Sequence, residues 1–331
     1  MILQERIELM VKAGEYLIAD NIEWQEVKQR AYEKNGWFTP EFIQHAAIQI
    51  AESFLSKDKL EKWVAHYHID ENISPKNIGI IMAGNIPMVG FHDMLAVFIT
   101  GHYSKIKLSS KDDVLLKHLA KYLSGINPGI SDHISFEEML KGCDAYITTG
   151  GSNSARAFKE YFGKYPHIVR SNRTSVAILT GNETARELAA FSDDIHLYFG
   201  LGCRNVTKFY VPEGYDFVPL ISAFNKYEYF GDHHKYKNNF DYQLSILLLN
   251  NVYYMTNGST LLTENENLFS PISVINYSKY KNPEIVKKLT ENNEEVQCIV
   301  GKDFIPFGQS QQPDLFTYAD GVDTMQFLLG L

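Results

Sequence analysis

The chain has 331 residues, 45% hydrophobic and 21% charged, with a formal net charge of −9. At roughly 150 residues per domain this length predicts two lobes, each large enough to bury a core, and no apolar run approaches the ~20 residues of a membrane span. The acidic balance argues against bulk nucleic-acid binding yet allows a local basic site for a phosphate-bearing cofactor, and Cys143, Cys203 and Cys298 are too few and too dispersed for a disulfide framework or a thiolate zinc site.

The opening "MILQERIELMVKAGEYL" is interrupted by Gln4, Glu5, Arg6 and Glu8, so it reads as an amphipathic helix and not as a signal peptide, and a cytoplasmic location is the default expectation. Helical spacing continues through residues 1–75. In "TPEFIQHAAIQIAESFL", Thr39 is the N-cap, Pro40 takes the first helical position, and apolar residues recur three and four apart. From residue 77 the pattern changes to strand "NIGIIMAG", helix "MVGFHDMLAVFITG", strand "SKIKLSS", helix "DDVLLKHLAKYL", strand "CDAYITTGG" and helix "SNSARAFKEYF". This alternation predicts a parallel, doubly wound sheet over residues 76–174, which about 305–331 could complete; such sheets bind ligands at their strand ends. A second α/β lobe is expected over 175–304: strand "SVAIL", helix "ETARELAAFSDDIHLYF", strand "TKFYV", helical stretches from Phe217 to Tyr254, strand-like "LFSPISVINY", helix "PEIVKKLTENN" and strand "VQCIVG". Inside it "FNKYEYFGDHHKYKNNFDYQ" reads as a surface excursion.

Cys203 lies in "GLGC", where glycines let the backbone turn sharply and bring N–H groups near the sulfur, an environment for a thiolate or an oxyanion. A small buried hydrophobe leading into a strand is the other reading. Cys143 and Cys298 sit in apolar strand patterns and read as core residues. "AGNIPMVGFHD" puts Gly84, Asn85 and Pro87 at a strand exit, where the Asn85 amide either donates to a developing oxyanion or caps a turn. "TTGGSNSARAF" opens a helix after a buried strand, so the N–H groups of Gly151, Ser152 and Asn153 form an anion seat without a GxGxxG or Walker pattern. "YSKIKLSSKDD" ends a strand with Lys105, Lys107 and Lys111 around Ser109 and Ser110, which suits a ribose or phosphate or simply a solvated basic edge. His233 and His234 are adjacent, point apart and have no carboxylate at ligand spacing, so no metal is expected.

The order of these pieces, strand then "GN-P", strand then Lys, strand then "TGG", and a Gly-flanked Cys before a strand, resembles the aldehyde dehydrogenase superfamily. It is most similar to the short acyl-CoA reductase branch that includes the fatty-acyl reductase of bacterial bioluminescence, over about residues 76–331. The resemblance implies an aldehyde dehydrogenase-like α/β fold with a dinucleotide domain, a catalytic domain and a nucleophilic cysteine in the cleft between them. Carried over by motif, Cys203 is the nucleophile, and Asn85 with the Cys203 backbone N–H forms the oxyanion hole. Lys107 holds the adenosine ribose, and Gly150, Gly151 and Ser152 face the pyrophosphate and nicotinamide end. "PFGQSQ", Pro306 to Gln311, resembles the segment that returns beside the active site.

Two departures refine the expectation. Hydrolytic relatives carry a Glu base before the cysteine, where this chain reads "RSNRTSVAIL", and a Glu-x-Phe on the nicotinamide ribose, where "ENLFSPI" leaves Glu266 two positions early. Loss of the water-activating acid disfavours hydrolysis of an acyl-enzyme and leaves thioester reduction intact. The family also places a Glu three positions after the ribose lysine, to repel a 2′-phosphate. Ser110 stands there with Lys111 beside it, which favours NADPH over NAD unless Asp112 or Asp113 takes over the repulsion. The expected function is therefore NADPH-dependent reduction of an acyl-CoA or other acyl thioester to an aldehyde, by an oxidoreductase expected to be a homo-oligomer. The alternatives are an NAD(P)-dependent aldehyde dehydrogenase, a non-catalytic scaffold, and a cysteine hydrolase that would enlist His196.

Overall fold

The computed structural model describes residues 1–69, 74–291 and 293–331. It divides into two compact units, Met1–Asn172 with Pro313–Leu331, and Arg173–Gln312.

The first unit begins with four helices, α1 (Leu3–Ile18), α2 (Ile22–Lys34), α3 (Pro40–Phe54) and α4 (Lys57–Tyr67). Thr39 Oγ1 accepts the Phe42 N–H at 3.2 Å with Pro40 behind it, so α3 starts where the cap pattern predicts. These helices pack onto the α/β part of the unit. The Arg6 guanidinium, only 3% exposed, donates to the Ile99 carbonyl at 3.2 Å, and the fully buried Trp63 indole donates to Tyr318 Oη at 2.8 Å. The Tyr318 contact ties α4 to the C-terminal segment.

The sheet of this unit has five parallel strands, β1 (Asn77–Ile81), β2 (Tyr103–Lys107), β3 (Ile134–Phe136), β4 (Ala145–Thr149) and β5 (His167–Arg170), in the order β3-β2-β1-β4-β5. Helices α5 (Phe91–Ile99), α6 (Leu115–Ile126), α7 (Ile130–His133) and α8 (Ser152–Phe162) run between the strands, and α13 (Thr324–Leu329) closes the chain. α5 is buried along nearly its whole length, which is why its sequence is apolar apart from His92 and Asp93 in its first turn. The Arg170 guanidinium, buried at the end of β5, pairs with Asp93 on α5 and donates to Thr324 Oγ1 at 2.9 Å, locking α13 in place. Cys143 lies just before β4 and is buried, two residues short of the strand its pattern suggests.

The second unit carries a six-stranded sheet in the order β11-β6-β7-β10-β9-β8, formed by β6 (Thr174–Ile178), β7 (Val206–Pro212), β8 (Met255–Thr256), β9 (Leu261–Glu264), β10 (Val274–Tyr280) and β11 (Val296–Gly301). All its pairings are parallel except that of β8 with β9. The helices are α9 (Ala185–His196), α10 (Val218–Phe224), α11 (His234–Leu249) and α12 (Pro283–Glu291). α9 opens on a capping box: Thr184 Oγ1 accepts the Glu187 N–H while Glu187 Oε2 accepts the Thr184 N–H at 2.8 Å. Its apolar face, with Leu188, Phe191 and Ile195, packs on Phe209 and Val211 of β7 and on Leu220 and Phe224 of α10. Burying each of the fully enclosed rings Phe191, Phe209 and Phe224 is worth roughly 1.5–3 kcal/mol.

The stretch read as a surface excursion is core-forming. Asn225–Asp232 folds as 3₁₀ turns, α11 follows, and Tyr227, Phe230, Tyr236 and Phe240 are buried. The polar residues between them face solvent; the aromatic ones close over His196 and Phe199.

Candidate functional site

In the first unit the strand order reverses between β1 and β4, the position at which doubly wound sheets open a ligand crevice at their carboxyl ends. Asn85 is exposed four residues past β1, Lys107 is the exposed last residue of β2, and Gly150 and Gly151 follow β4 directly. The loops after β1 and β2 interlock. Met82 N–H donates to the Lys107 carbonyl at 3.1 Å, and Gly84 sits so close to Ser109 that a Cβ on it would lie 2.7 Å from both Ser109 Cβ and Oγ. Asp112, only 4% exposed, accepts the Met88 N–H at 2.7 Å, while its Oδ1 is buried without a hydrogen-bond partner, so burial pushes its carboxyl up to about 7. Met88 holds φ at +55°, and this bond secures that left-handed residue three positions after Asn85.

Ser110 and Lys111 are exposed on the same loop. Asp113 is engaged elsewhere, with Lys34 at 2.6 Å and Lys117 at 3.9 Å. A Cβ on Gly151 would meet nothing within 4 Å, so the amino end of α8 presents open backbone; Gly150 packs on Ser154. The side chain of Ser152 lies outside the described residues. An exposed lysine at the exit of β2, and a Gly-lined helix amino terminus with an unfilled Cβ position at the exit of β4, are groups that fit the phosphates and ribose of a dinucleotide.

In the second unit, Cys203 is half-buried in a tight turn between α9 and β7. After α9, Tyr198, Phe199 and Gly200 all take positive φ (+56°, +57° and +73°), which reverses the chain sharply. For two bulky residues this conformation costs on the order of 1–2 kcal/mol each. Burial of Phe199 against Phe230 and His233, at ring centroid distances of 4.4 and 4.6 Å, offsets it. The turn itself spans Gly202–Asn205, closed by the Asn205 N–H donating to the Gly202 carbonyl at 3.0 Å, with Cys203 and Arg204 at its centre. Ser175 Oγ donates to the Cys203 carbonyl at 3.1 Å, and Cys298 Sγ lies 3.0 Å from Ser175 Oγ. Burial pushes the Cys298 thiol up, which leaves it a poor nucleophile.

Pro306–Gln311 returns to this turn. Gly308 and Ser310 donate their N–H groups to Asp194 at 2.6 and 2.9 Å, and Arg204 donates to the Ser310 carbonyl. Burial pushes Asp194 up to about 6 against the lowering effect of those two bonds. His196 does not serve the cysteine. Its Nε2 meets Thr260 Oγ1 at 2.9 Å, its Nδ1 meets the Ser192 carbonyl at 2.8 Å, and its ring stacks on Tyr227; burial drives it down to about 4. Glu266 accepts from Ser278 Oγ at 2.9 Å, a hydroxyl that the buried Lys208 also reaches. His233 caps α11 through Nδ1, accepting the Tyr236 N–H at 3.3 Å. Among the described residues no three His, Cys, Asp or Glu side chains cluster as metal ligands, and no helix is long and apolar enough to cross a membrane.

No protein-family model matches the chain, and no curated protein does. Solved structures do. An aldehyde dehydrogenase from Burkholderia cenocepacia, itself described as putative, superposes with a TM-score of 0.66 at 11% identity, covering 91% of this chain and 74% of that one. The fold is that of an aldehyde dehydrogenase. An indole-3-acetaldehyde dehydrogenase complexed with NAD+ gives 0.66 at 12% identity, over 91% and 72% of the two chains. Aldehyde dehydrogenase 21 from Physcomitrella patens gives 0.65 at 13% identity, over 92% and 74%. Within this aldehyde dehydrogenase fold, sequence reasoning missed Asn205, and it named Asp112 only for repelling a 2′-phosphate and not for holding the Met88 N–H. Each is a polar residue beside a singled-out motif, "GLGC" or "KLSS", and the hint was that both lead into a regular element.

Proposed function

We propose that the chain reduces acyl thioesters to aldehydes with NADPH, through an acyl group carried on Cys203. The carrying observation is the Cys203 turn, whose backbone is held on both sides while the preceding stretch, residues 170–179, contains no Asp or Glu to activate water. The Cys203 thiolate attacks the thioester carbonyl carbon, the Asn85 amide and the Cys203 N–H stabilise the oxyanion, and the CoA thiolate leaves. NADPH, when bound, supplies the hydride that releases the acyl group as an aldehyde and returns the cysteine. Lys107, Ser109, Ser110, Lys111, Gly150 and Gly151 are assigned to the nucleotide. The pairing of Asp113 with Lys34 and the burial of Asp112 support NADPH, because they remove the two nearby carboxylates from the loop's exposed edge. NAD remains the alternative cofactor, as in the NAD+ complex of the indole-3-acetaldehyde dehydrogenase.

The test is nucleotide oxidation by the purified chain with acyl-CoAs of graded chain length. Aldehyde should form, Cys203→Ala should abolish turnover, and Asn85→Ala should lower it by about 10²-fold. Undiminished turnover in Cys203→Ala overturns the mechanism. Oxidation of aldehydes to acids without CoA would instead establish the dehydrogenase reading.

A further inference from the structure

We infer that Asn205 is the positioning residue of the nucleophile, an inference that rests on the reading of Cys203 as that nucleophile. Asn205 is completely buried. Its Oδ1 accepts the Gly202 N–H at 2.8 Å, and its Nδ2 shares two protons among the carbonyls of Leu197, Ile195 and Asp194 at 2.9, 3.3 and 3.2 Å. Asp194 and Ile195 lie in the last turn of α9 and Leu197 is its C-cap, the end at which helix carbonyls need partners from outside the helix. One side chain thus caps the helix and grips the residue before Cys203, while its own backbone N–H closes the turn on the Gly202 carbonyl.

The consequence falls on one peptide plane. In a trans peptide the carbonyl and N–H point to opposite sides. The Gly202 carbonyl is drawn into the turn by Asn205, so the Cys203 N–H, the assigned oxyanion donor, is directed out of it. The following plane is held separately, by Ser175 Oγ on the Cys203 carbonyl. Neither Asp nor Ala reproduces what Asn205 does. Asp keeps the acceptor for Gly202 and sets a carboxylate against three carbonyl oxygens; Ala leaves the Gly202 N–H and the helix end without partners. A displacement of about 1 Å in reacting groups costs up to ~10²-fold in rate.

The experiment measures iodoacetamide labelling of each cysteine by peptide mapping across pH, with kcat and KM for NADPH. Asn205→Ala and Asn205→Asp should slow Cys203 labelling at least about 10-fold and lower kcat by about 10- to 100-fold, with KM for NADPH within about twofold of wild type. Thr184→Ala removes the N-cap at the other end of α9 and serves as the control for general loosening of that helix. It should leave Cys203 labelling unchanged. Equal slowing in Thr184→Ala and Asn205→Ala, or unchanged labelling in both Asn205 variants, overturns the inference. If Asn205→Ala does not accumulate as folded protein, Asn205→Ser takes its place with the same expectation. Wild-type protein that labels normally at Cys203 yet reduces no acyl-CoA overturns the functional reading alone, since the labelling profile still reports the positioning.

Discussion

Gly84→Ala tests whether the loops after β1 and β2 are as tightly joined as the geometry requires. The added methyl would lie 2.7 Å from Ser109 Cβ and Oγ and 3.2 Å from Lys111 Cβ. Carbon atoms in contact prefer about 3.5–4.0 Å, so the loops must separate by nearly 1 Å. Rotating the Ser109 hydroxyl gives no relief, because Cβ itself clashes. The loop cannot simply withdraw, since the Lys111 carbonyl is held by Asn35 at 3.2 Å and the Asp112 carboxyl by the Met88 N–H at 2.7 Å. Overpacking of this kind costs about 1–3 kcal/mol. At about 2–4 °C per kcal/mol for a body of 150–250 residues, Tm should fall by roughly 2–12 °C. Ser109→Gly removes the opposing Cβ, so the double variant should regain most of that loss, with a coupling of about 1–2 kcal/mol in a thermal-unfolding cycle. An unchanged Tm in Gly84→Ala, or a double variant no more stable than Gly84→Ala alone, would refute the interlocking of the two loops.

His196 supplies a pH dependence. Its folded pKa of about 4 lies below the unfolded value of 6.5, so its contribution is fully present above about pH 6.5 and is lost as pH falls towards 4, about 3 kcal/mol in all. Urea unfolding of wild type and His196→Gln between pH 7 and pH 4 should show their stability difference shrinking as pH falls; a constant difference would contradict the burial of a neutral ring. Lys111→Glu restores a carboxylate beside Ser110, and the ratio of kcat/KM for NADPH to that for NADH should fall about 10-fold. An unchanged ratio would show that this loop does not read the 2′-phosphate.

What the sequence by itself determined was local. Strands β1, β2, β4, β6, β7 and β11 are legible as short apolar runs, and the Thr39 cap marks the start of α3, because each signal depends on neighbours within a few residues. Strands β3 and β5 were not legible, for each is short and lies at a sheet edge, paired along one side only. The left-handed Tyr198 and Phe199 run against their own backbone preference, and tertiary burial, for Phe199 against the rings of Phe230, His233 and Tyr236, offsets that cost. The same closure draws Tyr227, Phe230 and Tyr236 inward, where a polar stretch reads as surface. Candidate groups such as Asn85, Lys107 and Gly151 could be named from their strand exits, but their adjacency could not, since it follows from the order β3-β2-β1-β4-β5. Asn205 and Asp112 carry no periodicity and no motif of their own. Each acquired its role when the fold excluded water from it and left a particular backbone N–H, that of Gly202 or Met88, as the partner within reach.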